Sequence, residues 1–172
     1  MTLKKFVVIP LIVAVLAFFI QIIDQVLSPL MQPFPNQGFG WIAFQSWAVY
    51  FLAGCNLKGG IKALIGYAVG ITGSIVIMTM GGWFAPLQFF SIPLAVAIVA
   101  CCLIFLERTT WLSLIPAIFI GAGAFFCFMT YVDGATFTNA AITEMVYCLL
   151  GLTFGFTTIT LRTAYEKRLK TS

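Results

Sequence analysis

Long uncharged apolar runs, each closed by a short polar or helix-breaking cluster, recur six times along the chain. The first begins at Phe6 and is uninterrupted to Asp24, beyond which Pro29, Pro33 and Pro35 cannot continue a helix. A second run, from Gly38 to Cys55, stops at Asn56-Leu57-Lys58-Gly59-Gly60, a polar, glycine-containing turn signal closed by Lys62. From Ala63 to Leu106 there is no charge, which is too long for one crossing of about 20 residues. Gly81-Gly82-Trp83-Phe84-Ala85-Pro86 supplies the break within it. Glu107-Arg108-Thr109-Thr110 precedes a fifth run ending at Tyr131, and Asp133-Gly134 turns the chain into a sixth. The pattern predicts one domain, 1–172, with spans at about 6–27, 38–55, 63–80, 89–106, 111–131 and 140–161.

Composition agrees with the pattern. Of 172 residues, 62% are hydrophobic and 8% charged, and the mean hydropathy is +1.08. A soluble domain carries about 25% charged residues, so a water-soluble reading is excluded. All nine Lys and Arg fall before the first span, between the second and third, between the fourth and fifth, or after the sixth. Because basic loops stay cytoplasmic, the fold class predicted is an all-α membrane protein with six transmembrane helices and both termini cytoplasmic. The first run is expected to persist as a span: no small-x-small cleavage pattern follows at Val26-Leu27-Ser28-Pro29, and the run exceeds the usual signal-peptide core. The basic tail Arg162, Lys167, Arg168 and Lys170 suits anionic headgroups of the lipid bilayer, and no nucleic-acid partner is expected.

Missing residue types remove much chemistry. The chain has no histidine, hence no imidazole metal ligand and no Ser–His or Cys–His couple. Cys55, Cys101, Cys102, Cys127 and Cys148 show no C-x-x-C spacing and read as small packing residues. No phosphate-cradling glycine loop, serine nucleophile with a base, or pair of intramembrane aspartates is present. The expectation is a protein that is not an enzyme and holds no cofactor and no metal.

Within lipid, helices associate where small residues let backbones approach. Gly66-x-x-x-Gly70 with Gly73 in the third span, and Gly151-x-x-x-Gly155 in the sixth, carry that pattern, and Gly121 and Gly123 smooth the fifth. A contact between the third and sixth spans is expected, or equally an interface between copies in a homo-oligomer. Pro116 is placed inside the fifth helix, where losing the bond to the Leu112 carbonyl would kink it.

Polar groups at bilayer depth are costly and therefore informative. Gln45, Ser46 and Tyr50 in the second span, with Thr72 and Ser74 in the third, are candidates for a path taken by a small neutral or weakly polar solute, the ring-flanked amide and hydroxyls replacing its hydration shell. The plainer reading is hydrogen bonding that holds helices together. Gln21, Asp24 and Glu144 near the outer ends of the first and sixth spans are candidates for an acidic outer vestibule, against simple snorkelling to the interface. Phe84, Phe89, Phe90, Phe125, Phe126 and Phe128 are expected to face lipid, and Trp41, Trp83 and Trp111 to anchor at the membrane surfaces.

Three segments carry a resemblance: Ser46-Trp47-Ala48-x-Tyr50-Phe51 with Gly59-Gly60-x-Lys62-Ala63, Leu112-Ser113-Leu114-Ile115-Pro116-x-x-Phe119-Ile120-Gly121-Ala122, and Gly151-Leu152-x-Phe154-Gly155. Over roughly residues 38–160 the chain resembles the YcdZ-type family of small bacterial inner-membrane proteins of unknown function. The resemblance implies a compact multi-helix unit in a bacterial inner membrane and brings no catalytic residues. The expectation is a homo-oligomeric channel or facilitator, or else an accessory protein bound to another membrane complex.

Overall fold

The computed structural model describes residues 3–31 and 38–171; Pro33 and Pro35, named above as helix breakers, lie outside the described residues. Among the described residues every regular element is helical. After one helical turn at Leu3–Phe6 come six helices: α1 (Val8–Leu27), α2 (Gly40–Leu52), α3 (Leu57–Trp83), α4 (Ser91–Ile104), α5 (Ile115–Tyr131) and α6 (Phe137–Thr171). With the 3-10 turns flanking α1 and α4 included, four are long and apolar enough to cross a membrane: Val8–Leu30, Leu57–Trp83, Ala85–Arg108 and Phe137–Lys170. The apolar α5 is shorter, at 17 residues, and α2 has 13.

Helix ends depart from the predicted ones where local chemistry overrides hydropathy. α3 starts at Leu57 rather than near residue 63 because Asn56 caps it: its backbone is extended, and its side chain accepts the Gly59 N–H at 2.8 Å. The turn before it is correspondingly tight, reversing at Gly54 (φ 90°) and Cys55 (φ 57°). α3 then continues through Gly81 and Gly82 to Trp83, so the glycine pair is not the break; Pro86 in the following 3-10 segment and Gln88 (φ 49°) mark it instead. The kink expected at Pro116 is absent. Pro116 lies in the first turn of α5, where a proline needs no partner for the N–H it lacks, and Leu112 precedes the helix. α6 runs on past Leu161 through the basic tail, which carries an exposed Arg162–Glu166 pair at 2.8 Å.

Glycines decide which helices touch. α3 lies against α5, where a Cβ on Gly66 would sit 2.7 Å from the Ala117 Cβ and one on Gly121 would sit 2.8 Å from the Tyr67 Cα. α2 lies against α6, where a Cβ on Gly151 would run into the Ala43 carbonyl and the Ser46 hydroxyl, and one on Gly155 would sit 2.6 Å from the Tyr50 Cβ. The two motifs therefore do not dock on each other, although α3 and α6 do touch, as expected of the third and sixth spans. Each has a flat backbone opposite it elsewhere, Ala117–Gly121 for α3 and Ala43–Ser46 for α6, and close approach requires smoothness on both sides. Gly73 accommodates Leu103 of α4, whereas Gly123 faces open space. The outer helices are lightly held: α1 buries Leu16, Ile20 and Asp24, and α4 buries Ser91, Ala95 and Val99.

Candidate functional site

The five residues proposed as a solute path do not share a surface within the chain. Ser46 is fully buried, and its hydroxyl donates to the Ala43 carbonyl at 3.1 Å and the Tyr147 carbonyl at 3.4 Å. Ser74 is likewise buried and donates to the Ala122 carbonyl at 3.1 Å. Both serines thus tie helix to helix. Thr72 is exposed and turned back on its own helix, bonding the Ala68 carbonyl at 2.8 Å. Tyr50 is buried against Gly60 and Gly155. Gln45, Tyr50 and Thr72 line three separate spaces: Gln45 a cleft of about 480 Å³ walled by Gly38, Phe39, Trp41, Cys127, Tyr131 and Val132, Tyr50 one of about 260 Å³ beside Gly60 and Leu152, and Thr72 one of about 380 Å³ beside Gly73 and Val99.

The acidic residues are placed quite differently from a wet vestibule. Gln21 is exposed, but Asp24 is only 6% accessible. Its carboxylate accepts the Phe39 N–H at 2.9 Å and the Tyr147 hydroxyl at 2.6 Å. Gly38 and Gly40 leave room for it, since a Cβ on either would press on the Asp24 carboxylate. This cage holds the end of α1 to the start of α2 and to α6. A buried carboxylate with two donors is satisfied and inexpensive relative to a bare one.

Glu144 has no such partners. It is 0% exposed, and neither carboxyl oxygen has a hydrogen-bond partner among the described residues. Snorkelling is thereby corrected: about two turns inside the start of α6 the side chain is wholly buried, on the same helix face as Tyr147 and Cys148, three and four residues on. Tyr67 of α3, also 0% exposed, packs in one buried cluster with Cys148, a turn on from Glu144, and its hydroxyl is unpartnered as well. Native proteins leave few buried polar groups unbonded, and those few concentrate at functional positions. Two of them converging from α3 and α6 make the most chemically loaded point among the described residues. Sequence reasoning singled out Glu144 but missed Tyr67 and Tyr147.

Phe39 links this interior to the cleft. Its ring lines the cleft yet is 2% exposed, stacked on Phe128 with centroids 5.0 Å apart and edge-on to Tyr147 at 5.9 Å. The expectation that the outer phenylalanines face lipid holds for Phe89 and Phe90, which are exposed, and fails for Phe125 and Phe128, which are wholly buried. The latter two lie on the inner face of α5, filling volume between α2 and α6. All five thiols are free, and no three His, Cys, Asp or Glu side chains gather as metal ligands among the described residues.

The sequence pattern of one family, described as "Protein of unknown function (DUF1097)", matches residues 7–162. The chain belongs to that family. The matched region takes in all of α1 to α5 and most of α6, so Asp24, Tyr67, Glu144 and Tyr147 all lie within the DUF1097 pattern. No curated protein and no solved structure matches the chain. Family membership thus carries no activity, and the functional reading rests on the site.

Proposed function

We propose that this DUF1097 protein is a membrane facilitator for a small polar solute and that Glu144, with Tyr67, is the group that binds the solute in transit. The observation that carries the reading is the wholly buried, unpartnered Glu144 carboxyl. An acid inside a membrane bundle is expensive, and a bundle held by glycine faces and serine–carbonyl bonds does not need one. The cleft at Gln45 and Tyr131 is the outer approach, and Phe39 closes it toward the interior. Ser46, Tyr50 and Ser74 act in this reading as helix-packing groups, and Thr72 bonds its own helix.

The reading includes six crossings with both termini in the cytoplasm of a bacterium, a homo-oligomer, and no enzymatic activity. The one-sided distribution of Lys and Arg supports the topology. The thin burial of α4, against which a second copy or lipid must pack, supports assembly. The short α2, of 13 residues, spans about 20 Å at 1.5 Å per residue.

The test is permeability. Vesicles containing the purified chain should equilibrate urea, glycerol, acetamide or ammonium salts faster than empty vesicles in stopped-flow light scattering, and Glu144→Leu should bring the rate back toward the empty-vesicle value. If wild-type and empty vesicles are equal across the panel, the accessory role in another membrane complex replaces this reading.

A further inference from the structure

We propose that the groove between α3 and α6, at the membrane surface where α3 begins, binds one phospholipid with an anionic headgroup. An acyl chain lies in the groove and the phosphate meets the Lys58 ammonium. This goes beyond the facilitator reading and does not depend on it.

The shape of the groove suits a hydrocarbon chain. Its volume is about 260 Å³, and its walls are Leu57, Ile61 and Leu64 of α3 and Leu149, Leu152 and Phe156 of α6. Residues three, four and seven apart stand above one another on a helix, so each wall is a continuous apolar stripe, about 10 Å long at 1.5 Å per residue. Gly60 and Tyr50 lie at the bottom; a Cβ on Gly60 would sit 3.2 Å from the Tyr50 ring, and its absence keeps the floor low. Thr153, also on the α6 side, turns its hydroxyl back on the Leu149 carbonyl at 2.8 Å, so that wall presents hydrocarbon.

Charge selects the lipid. A hydrocarbon chain gains little by leaving one apolar medium for another, so the groove fixes where the chain lies and the headgroup decides which lipid stays. Lys58 stands between Leu57 and Ile61 in the first turns of α3, is exposed, and is in no ion pair among the described residues. Lys62 is committed elsewhere, its ammonium donating to the Ser113 hydroxyl at 3.2 Å. No Asp or Glu occurs between Asp24 and Glu107, and Glu166 of α6 is paired with Arg162, so no carboxylate from α2, α3 or α4 offsets the Lys58 charge. A basic side chain at the membrane surface attracts anionic lipid, whereas the cation of a zwitterionic headgroup cancels much of that attraction. The clefts at Thr72 and at Arg108 lack the combination: the first has no charged residue in its walls, and the second carries Arg108 beside Glu107.

The experiment is thermal unfolding of the full chain in neutral detergent micelles, titrated with phosphatidylglycerol or with phosphatidylcholine of the same acyl chains. Phosphatidylglycerol should raise the unfolding temperature in a saturable manner, half-saturating about fivefold below phosphatidylcholine, the preference that one basic residue at an anionic surface supplies. Lys58→Gln, an exposed change, should make the two lipids equal, while Lys170→Gln in the distant basic tail should leave the preference intact. Leu149→Trp, which fills the groove from a half-exposed position, should weaken the response to both lipids. Equal responses of the wild type to the two lipids, a preference that survives Lys58→Gln, or one lost equally in Lys170→Gln overturns the proposal. So does an inorganic phosphate response that matches phosphatidylglycerol, because the ligand is then a free anion and the groove is irrelevant. Should Leu149→Trp fail to fold, the two lysine variants decide. Solute flux has no bearing on these outcomes, so the facilitator reading stands or falls separately.

Discussion

Gly151→Ala probes the contact between α2 and α6 at its tightest point. The added Cβ would run into the Ala43 carbonyl and the Ser46 hydroxyl, and the second of these holds the Tyr147 carbonyl at 3.4 Å. Neither obstacle is the flexible end of a long side chain, so the helices must separate by on the order of 1 Å. Forced overpacking costs about 1–3 kcal/mol, and the stretched Ser46 bond adds about 0.6 kcal/mol. The sum of roughly 2–4 kcal/mol corresponds to a fall in Tm of roughly 4–14 °C for a chain of this length. Gly123→Ala is the matched control: it makes the same chemical change where nothing lies within 4 Å. It should leave the Tm unchanged or raise it by up to about 4 °C, since alanine is the better helix former by about 1 kcal/mol. The assay is near-ultraviolet circular dichroism during heating in detergent micelles. Equal Tm values for the two variants would refute the claim that Gly151 sets the α2–α6 distance.

Two further outcomes follow from single contacts and a third from the placement of the basic residues. Tyr147→Phe removes the 2.6 Å donor to the Asp24 carboxylate while keeping the ring against Phe39, and should lower stability by about 1–3 kcal/mol in the same melting assay; an unchanged Tm would mean that water replaces the hydroxyl. Asn56→Ala removes the cap of α3 and should cost about 1 kcal/mol, with Asn56→Asp largely restoring the wild-type melt. A reporter fused after the basic tail should be active only as a cytoplasmic one, and extracellular activity would overturn the six-crossing topology.

The helices were legible because their signal is simple: charge and proline end an apolar run whatever surrounds it. Helix starts were less so, because Asn56 can open a helix or make a turn, and only the position of its side chain against the Gly59 N–H distinguishes the two. Pairing was hidden for a different reason. A glycine motif such as Gly66-x-x-x-Gly70 marks a flat face but not the partner that meets it, and Ala117–Gly121 opposite makes a weaker motif. Glu144 was visible as a charge one turn inside a helix end, a depth equally consistent with reaching out or pointing in. The hint lay three and four residues on, where Tyr147 and Cys148 share its face. Tyr67 went unnoticed since a tyrosine in an apolar run draws no attention unless its hydroxyl is known to lack a partner.

The links between the amino-terminal segment and α6 bear on the order of assembly. The Tyr147 hydroxyl bonds Asp24, the Thr143 hydroxyl donates to the Met31 carbonyl at 3.3 Å, and the Tyr165 hydroxyl donates to the Lys5 carbonyl at 2.7 Å. During synthesis the first helix leaves the ribosome earliest and its main partner latest, so it must wait in lipid while four others are made. Completion of the carboxyl-terminal helix is then the event that clamps the amino-terminal one, and a nascent chain truncated before Tyr147 should leave its first segment free to drift.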